Sequence, residues 1–309
     1  MTTSTGQQLE QRDTVLTLGD RVRLHTARAL RTAAPVLGPL ASTGKYVSLV
    51  IASLAALTPL ITIVFAAFKS NAEYRATGPL QPPTDWANFG NFVTAFTQGG
   101  MLRGFLNTAI ILGVALVGTI LIGTMTAYAV DRFSFRGRSL LLGAFLVATL
   151  VPAVTTQVAT YQVVVGLGLF NTRLAMILLF MGTDIIAIYI FMQFMRSIPV
   201  SLDEAAMLDG ANRFTIYARV IFPLLKPAIA TVIIIKGIAI YNEFYLPFLY
   251  MPAADLGVIS TSLFRFTGPF GSAWEVIAAG ALLVIVPTLI AFLLLQRQIY
   301  NGLTAGATK

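Results

Sequence analysis

The chain has 309 residues, of which 56% are hydrophobic and only 11% are charged, whereas an ordinary soluble domain carries about 25% charged residues. This composition excludes an ordinary soluble domain and favours a membrane protein. The net charge of +8 does not require nucleic acid as a partner, because the Lys and Arg residues concentrate on one side of the apolar segments, where anionic lipid head groups are their natural partner. A chain with no cysteine and a single histidine forms no disulfide and is poorly equipped for a zinc site.

The first 43 residues form a polar tail rich in Thr and Ala, which Pro35 and Pro39 are expected to break. This tail lacks a short apolar core followed by a cleavage site, so a signal peptide is not expected. It is rich in Arg and poor in acidic residues, as organelle transit peptides are. We prefer a cytoplasmic tail, part helix and part disorder, because the rest of the chain has the character of bacterial inner-membrane sequence.

Long stretches without Asp, Glu, Lys or Arg follow the tail. Four of them run for 23, 27, 34 and 21 residues, and about 20 apolar residues are enough for a helix that crosses a bilayer. Two further apolar stretches contain charges, Asp184 in one and Lys236 with Glu243 in the other. The sequence therefore predicts an all-α membrane protein in which residues 44–309 form one domain. Its six transmembrane helices are expected at about 46–68, 106–130, 140–163, 174–195, 228–250 and 277–296.

Several features between and within the spans can also be predicted. The outer loop 69–105 contains "WANFGNFVTAF", either a short helix at the membrane surface or an irregular loop. Three of its aromatic residues would lie at the interface: Trp86, Phe89 and Phe92. Three glycines of the second span would allow close helix approach: Gly113, Gly118 and Gly123. Pro152 would kink the third span, and Pro287 the sixth.

The distribution of Lys and Arg predicts the orientation of the chain. Fifteen of these residues lie in the tail, the second-to-third connection, the fourth-to-fifth connection and the C-terminus, and five lie on the other side. The asymmetry predicts a multi-pass protein of the plasma or inner membrane. Both termini and the segment 197–227 are then expected in the cytoplasm.

The segment 197–227 is a polar stretch, "SIPVSLDEAAMLDGANRFTIYARVIFPLLKP", between two apolar spans. Ser201 and Glu204 have the spacing of a capping box, which would begin a helix that reaches about Asp209. Gly210 would end this helix, because glycine adopts the left-handed conformation freely. The first half of the segment is therefore predicted to be one short helix.

A second helix is predicted after this glycine, with Asn212 as its N-cap. Four apolar residues would form one stripe along it: Phe214, Tyr217, Ala218 and Ile221. Arg213 and Arg219 lie off that stripe, and Pro223 and Pro227 would end the helix. The segment is either a plain connector or a rigid helix–turn–helix that docks to another protein, and the explicit start and stop residues favour the second interpretation.

The same segment resembles the EAA loop of ABC-importer permease subunits, which begins with Glu-Ala-Ala, three residues and Gly. The matching residues are Glu204, Ala205, Ala206, Asp209, Gly210, Ile221, Pro223 and Pro227. Four further stretches resemble the carbohydrate-uptake, maltose-transport-type branch of the binding-protein-dependent inner-membrane permeases: "AYAVDRFSFRGR", "LGLFNT", "YNEFYLPF" and "QRQIYNGLTAGATK". The resemblance covers about 45–309. Tyr241 stands where the family usually has Trp, and Lys236 is not part of the pattern.

The resemblance implies a type I ABC importer in which this chain forms half of the path for a sugar or oligosaccharide. Its partners would be a second permease, two cytosolic ATPase subunits and an extracytoplasmic solute-binding protein. The ATPase subunits would use ATP, so this chain would bind no cofactor or metal and would not be an enzyme. The residues expected to couple to an ATPase subunit are Glu204, Ala205, Ala206, Asp209, Gly210, Ile221 and Pro223. Glu204 would cap its own helix, meet a cation on the partner, or both.

Charged groups within spans usually face protein or water, so they are candidates for the substrate path. Lys236 and Glu243 are seven residues apart, on one face of a helix. With their neighbours they give these candidates: Asp184, Lys236, Tyr241, Asn242, Glu243 and Tyr245. Alternatively, Lys236 extends to the inner head groups and Glu243 holds a structural hydrogen bond. Other functions left open are an importer for a non-sugar solute, a secondary carrier and a small membrane-embedded enzyme.

Overall fold

The computed structural model describes most of the chain. Its backbone covers residues 18–182, 184–268 and 271–305, and its side chains cover residues 43–152, 154–182, 184–268 and 271–294. Contacts between residues divide the chain into two units, 1–62 and 63–309. The prediction for the first 17 residues of the tail lies outside the described residues.

The described part of the first unit is a single helix, α1 (Leu18–Phe68), whose last residues belong to the second unit. It contains both the described part of the predicted tail and the first predicted span. Pro35 and Pro39 lie inside this helix, so they do not interrupt it as the sequence suggests. Its apolar part, Thr43–Phe68, is long enough to cross a bilayer.

The second unit contains the remaining elements. The short helices α2 (Asn71–Ala76) and α3 (Gly90–Gln98) precede the long helix α4 (Met101–Arg132). Four helices then follow, α5 (Arg138–Leu150), α6 (Ala153–Gly166), α7 (Arg173–Met181) and α8 (Ile185–Met195). The segment 197–227 forms α9 (Ser201–Leu208), α10 (Arg213–Thr215), a π-helical turn (Ile216–Ile221) and α11 (Phe222–Leu224). The chain ends with α12 (Lys226–Asn242), α13 (Tyr245–Tyr250), α14 (Ile259–Ser262), a 3₁₀ turn (Leu263–Phe266), the paired strands β1 (Thr267–Gly268) and β2 (Gly271–Ser272), and α15 (Trp274–Ala305).

Membrane-spanning capacity is divided between straight and bent helices. Within the described residues, three helices are long and apolar enough to cross alone: Thr43–Phe68, Met101–Arg132 and Trp274–Leu294. Three pairs qualify only together and are bent by 103°, 42° and 70°: Arg138–Leu150 with Val154–Gly166, Arg173–Met181 with Ile185–Met195, and Arg213–Leu224 with Lys226–Asn242. The count reaches the predicted six only when each bent pair is one crossing, and the last pair begins inside the segment 197–227 and not at the predicted residue 228.

The third, fourth and fifth predicted spans are therefore not single helices. The third breaks at Pro152, as the sequence indicates, because proline removes a backbone donor and clashes with the preceding turn. The bend between its two helices is 103°, far larger than the predicted kink. The fourth breaks after Gly182, which the sequence did not predict. The fifth ends at Asn242, and a separate helix, α13, follows it. In the sixth, α15 continues through Pro287 as one helix.

The aromatic stretch of the outer loop does form a helix, although α3 begins only after Phe89. The rings of Trp86, Phe89 and Phe92 surround Phe68, with centroid distances of 5.6, 5.6 and 5.1 Å. α3 also packs against α15 and buries Ala95 there. The aromatic residues thus hold the outer loop against the helices.

α4 lies at the centre of the second unit and packs against α7, α8, α12 and α14. A Cβ atom at Gly118 would collide with the Met181 side chain, and one at Gly123 would lie 2.9 Å from the Phe191 ring. These two glycines allow close approach, as predicted. Gly113 makes no such approach within this chain, since it is exposed and has no neighbour within 4 Å of an added Cβ among the described residues.

Candidate functional site

The first helix of the segment 197–227 begins without a side-chain cap. Its N-cap is Val200, whose carbonyl oxygen accepts from the N–H groups of Asp203 and Glu204 at 2.9 and 3.1 Å. The predicted capping box is therefore wrong, because the turn starts one residue earlier than expected and Ser201 already lies inside the helix. The Glu204 carboxylate is exposed and has no hydrogen bond among the described residues, which leaves it free to meet a partner.

The turn between the two arms agrees with the sequence. Gly210 has φ = +79°, a conformation that side chains with a Cβ disfavour. The N–H of Ala211 donates to the Ala206 carbonyl at 3.0 Å, and the N–H of Gly210 donates to the Met207 carbonyl at 3.0 Å, which is the Schellman pattern. Asn212 caps the second arm, since its Oδ1 accepts from the Thr215 N–H at 2.8 Å. The predicted end of the first helix at Gly210 and the predicted N-cap of the second at Asn212 are both confirmed.

The second arm does not have the predicted apolar stripe. Its backbone widens into a π turn, in which the Phe222 N–H donates to the Tyr217 carbonyl. Pro223 has no N–H for the carbonyl four residues before it, so the regular α-helical bonding cannot continue there. The wider turn rotates the buried face onto Ile216, Tyr217 and Ile221. Phe214 and Ala218, predicted to lie on the stripe, are exposed.

Most of the predicted coupling residues are on the surface of the loop. The exposed ones are Glu204, Ala205, Asp209, Gly210 and Pro223, while Ala206 is half-buried. Ile221 lies in the apolar core beneath the loop, so it supports the loop from inside. Beside the exposed set, Leu208 is 90% and Phe214 70% exposed. Large exposed apolar side chains on a rigid element mark a contact surface, and the sequence did not single them out for that role.

A buried arginine fixes the loop to the end of α4. Arg132 donates to the Ile198 carbonyl at 2.8 Å and to Asp131 at 2.9 Å. Its Nε lies 3.1 Å from Oδ2 of Asp203, as an ion pair that is not aligned as a hydrogen bond. The side chains of Arg132 and Asp203 are only 5% and 2% exposed. The sequence reasoning missed this pair, although Asp203 directly precedes the Glu-Ala-Ala motif and Arg132 lies in "AYAVDRF".

The second arm is fixed to the same helix. The hydroxyl oxygens of Tyr217 and Thr124 are 2.8 Å apart, and the rings of Tyr217 and Tyr128 have centroids 5.5 Å apart. Burial raises the pKa of Tyr217 above that of free tyrosine, although the hydrogen bond to Thr124 lowers it in part. The phenol is protonated at neutral pH, as free tyrosine also is, and its hydroxyl holds this contact.

Among the charged residues of the spans, Asp184 and Lys236 form an ion pair. The Lys236 Nζ lies 2.6 Å from Asp184 Oδ2, and the side chains are 24% and 14% exposed. Asp184 also caps α8 at the break in the fourth span, since its Oδ1 accepts from the Ala187 N–H at 2.9 Å. Both residues line a cavity of about 160 Å³. The pair joins α8 to α12, so Lys236 is held by protein.

Glu243 does not share a helix face with Lys236, contrary to the prediction. α12 ends at Asn242, and the backbone at Glu243 is extended. The Glu243 carboxylate accepts from the Leu246 N–H at 3.1 Å and thereby stabilises the start of α13. The alternative prediction for Glu243, that its carboxylate holds a structural hydrogen bond, is therefore confirmed.

Of the remaining path candidates, one is half-buried and two are exposed. Tyr241 is half-buried and donates its hydroxyl hydrogen to the Val284 carbonyl at 2.9 Å. Asn242 and Tyr245 are exposed, and the Tyr245 hydroxyl accepts from the side-chain amide of Gln157. Nearby aromatic rings form a further exposed cluster, with centroid distances of 5.4 and 5.0 Å: Phe244, Phe248 and Phe264. Within the described residues no three His, Asp or Glu side chains come together to hold a metal ion.

Comparison with known proteins defines the class. The model of the family "binding-protein-dependent transport system inner membrane component" matches residues 119–300, more than half of the chain. The chain belongs to this family. It is a membrane permease component of an ABC importer that works with a solute-binding protein, and it is a transport protein and not an enzyme.

Several relatives transport sugars according to their names. The chain is 27% identical over 258 residues to the arabinooligosaccharides transport system permease protein AraQ of Halalkalibacterium halodurans, covering 82% of this chain and 91% of the relative. It is 29% identical over 255 residues to the melibiose/raffinose/stachyose import permease protein MelC of Bacillus subtilis, covering 81% and 91%. It is 33% identical over 210 residues to the galactooligosaccharides transport system permease protein GanQ of Bacillus subtilis, covering 67% and 74%.

The fold is also shared with a solved structure. A crystal structure of a bacterial ABC transporter involved in the import of the acidic polysaccharide alginate matches with a TM-score of 0.74 at 22% sequence identity. The match covers 86% of this chain and 97% of that chain. The helices described above therefore form an ABC-importer permease fold.

Proposed function

We propose that this chain is one of two permease subunits of an ATP-driven importer for a sugar or oligosaccharide. We further propose that the loop 197–227 is a coupling loop that docks on a cytosolic ATPase subunit. The observation that carries this proposal is the loop itself, which is a rigid two-armed projection fixed by buried contacts. Its exposed surface combines the apolar side chains of Leu208 and Phe214 with the carboxylates of Glu204 and Asp209.

The substrate class is supported by two observations. The relatives named above are permeases for oligosaccharides. In this chain, exposed aromatic rings and the exposed polar side chains of Asn242 and Tyr245 occur together in the segment 242–248, at and just after the end of α12. A sugar presents both hydroxyl groups and apolar ring faces, so a path lined by amides, phenols and aromatic rings suits it.

The proposed assembly is the one that the resemblance to ABC-importer permeases implies, and the coupling loop and the charge distribution are consistent with it. Two ATPase subunits bind and hydrolyse ATP, a second permease completes the path, and the solute-binding protein delivers the sugar from outside. The ratio of fifteen to five Lys and Arg residues supports a cytoplasmic location of both termini and of the coupling loop. This chain needs no cofactor of its own for that role.

The test is reconstitution of the importer with a binding protein, a second permease and ATPase subunits. Uptake of labelled oligosaccharides into vesicles is measured with and without ATP, for the native chain and for Gly210→Val. A valine is strained at φ = +79°, so the loop should lose its shape. We expect Gly210→Val to abolish ATP-driven uptake while the protein stays in the membrane.

The matched control is Gly113→Val, since Gly113 is exposed and an added Cβ there has no neighbour within 4 Å among the described residues. Uptake by Gly210→Val at the level of this control would remove the docking role of the loop. Uptake by the native chain without ATPase subunits, driven by an ion gradient, would identify a secondary carrier. Turnover of a substrate without ATP would identify an enzyme.

A further inference from the structure

α4 carries one row of side chains toward the coupling loop. Thr124, Tyr128 and Arg132 are spaced by four residues, so they lie on one face of the helix over two successive turns. Thr124 and Tyr128 contact Tyr217 in the second arm, and Arg132 contacts Asp203 in the first. Both arms of the loop are therefore attached to α4, which is neither of the helices that the loop connects in sequence.

The other end of α4 holds a second segment of the chain, 255–262. The side-chain amide of Asn107 donates to the carbonyls of Asp255 and Gly257 at 3.0 and 2.9 Å. The Thr108 hydroxyl accepts from the Ile259 N–H at 3.0 Å. Asn107 and Thr108 are both buried. This segment is thus bonded to the first turns of α4 by directed hydrogen bonds.

Between these two attachments α4 is continuous. Thr108 and Arg132 are 24 residues apart, which is about 36 Å along a helix and comparable to the ~30 Å of the hydrocarbon core. The helix contains no proline, whereas the spans built from α5 with α6 and from α7 with α8 are broken within their length. A continuous helix can therefore carry a displacement from one of its ends to the other. A span that is broken within its length transmits such a displacement less effectively.

We propose that α4 is the element that the coupling loop moves, and that Arg132 is the positioning residue that joins the two. ATP-dependent displacement of the loop shifts α4 and, through Asn107 and Thr108, the segment 255–262 at the opposite end. This inference rests on the proposed docking of the loop to an ATPase subunit. It adds the specific helix and the specific contacts through which docking acts.

Asp203→Asn tests the inference in the complete complex. The amide keeps the shape of the side chain and removes its charge, while Arg132 keeps its contacts with Asp131 and the Ile198 carbonyl. We expect ATP hydrolysis to continue and the number of sugars imported per ATP to fall by about 2- to 30-fold, the range for residues that carry coupling. Arg136→Gln is the control, because Arg136 is exposed in the adjacent connection.

A merely structural role for the pair gives a different result. Fewer folded complexes lower uptake and ATP hydrolysis by the same factor, so the ratio of the two stays at the level of the control. That outcome overturns the inference. If Asp203→Asn does not assemble, the double variant Thr124→Val with Tyr217→Phe replaces it, since removing both hydroxyls leaves no buried group unpaired. The same fall in the ratio is expected.

A second measurement follows the movement itself. The native chain has no cysteine, so Asp255→Cys introduces a single thiol at an exposed position of the segment 255–262. We expect a non-hydrolysable ATP analogue to change the rate at which a maleimide labels this thiol in the otherwise native complex. Asp203→Asn should abolish that change. A change of the same size in Asp203→Asn would contradict the inference.

The two proposals fail in different ways. If the proposed function is wrong, the native chain shows no ATP-driven uptake, or Gly210→Val transports as well as its control. If only the role of α4 is wrong, native uptake depends on ATP and Gly210→Val abolishes it, while Asp203→Asn keeps the native ratio.

Discussion

Two opposite charges compensate each other inside the membrane domain at Asp184 and Lys236. A lone charge at the centre of a bilayer costs about 2.5–3.5 kcal/mol on insertion scales. Here the carboxylate both caps α8 and accepts the ammonium group of α12. The helix break in the fourth span and the lysine in the fifth are therefore parts of one arrangement.

We predict that Lys236→Leu destabilises the protein, because it leaves the Asp184 carboxylate without its cation. Breaking one side of a largely buried pair costs about 3 kcal/mol, which thermal unfolding in lipid nanodiscs would measure. Lys236→Leu combined with Asp184→Asn should recover most of the loss, and Lys45→Leu, at an exposed position, should have little effect. If Lys236→Leu is as stable as the native chain, water screens the charge of Asp184 and the ion pair adds no stability.

The sequence gives the presence of these charges but not their partners. Asp184 and Lys236 are far apart along the chain, and only the packing of α8 against α12 brings them together. The predicted face shared by Lys236 and Glu243 assumed that the helix continues to Glu243, but α12 ends one residue earlier. Residue types were thus predictable, whereas their neighbours depended on where helices end.

Among the elements, α4 combines length with close packing. Phe191 is fully buried, and its ring lies against Gly123. Close approach of this kind is common between membrane helices, where small residues at the interface allow the backbones to meet. The position of α4 against α8 therefore depends on the missing side chain at residue 123.

We predict that Gly123→Ala lowers the free energy of unfolding by about 1–3 kcal/mol, the usual effect of overpacking. Gly113→Ala adds the same methyl group to the same helix at a position without neighbours, and should leave stability unchanged or slightly raised. Thermal unfolding of the two variants side by side checks the prediction. Equal stability would show that the Phe191 ring moves away at no cost.

The loop elements show how local rules succeed and fail. Gly210 and Asn212 were predictable, because a left-handed glycine and an Asn cap are determined by residues close in sequence. The apolar stripe of the second arm was not, since the π turn before Pro223 changes the number of residues per turn. The start of α9 was misplaced for a related reason, because the backbone of Val200 provides the acceptor that a serine side chain was expected to supply.

At the scale of the whole molecule, the charge asymmetry predicts one orientation in the membrane. We expect a membrane-impermeant maleimide to label Asp85→Cys in intact cells, after removal of any outer barrier, and to label Arg136→Cys only after the membrane is permeabilised. Both positions are exposed, and the native chain contributes no thiol. The reverse pattern would place the coupling loop outside and remove its access to ATP.

The positions of the long apolar segments were predictable because gaps between charges are read directly from the sequence, whereas the number of crossings depends on how the bent pairs are counted. The breaks were harder to predict. The bend at Pro152 could be predicted from the proline itself. The break after Gly182 and the end of α12 at Asn242 depend instead on side chains that bond free backbone N–H groups, such as Asp184 and Glu243. Such contacts produce no repeating pattern of apolar and polar residues from which the breaks could be predicted.

The sharp turn at Pro152 has a consequence for biogenesis. It separates helices of 13 and 14 residues, each about 20 Å long and too short to cross a bilayer. The ribosome nevertheless releases this region as one uncharged stretch, which the insertion machinery accepts on hydropathy. Backbone groups freed at a 103° turn find no partner in lipid. We therefore expect this region to insert first and to form its turn only after neighbouring helices have gathered around it.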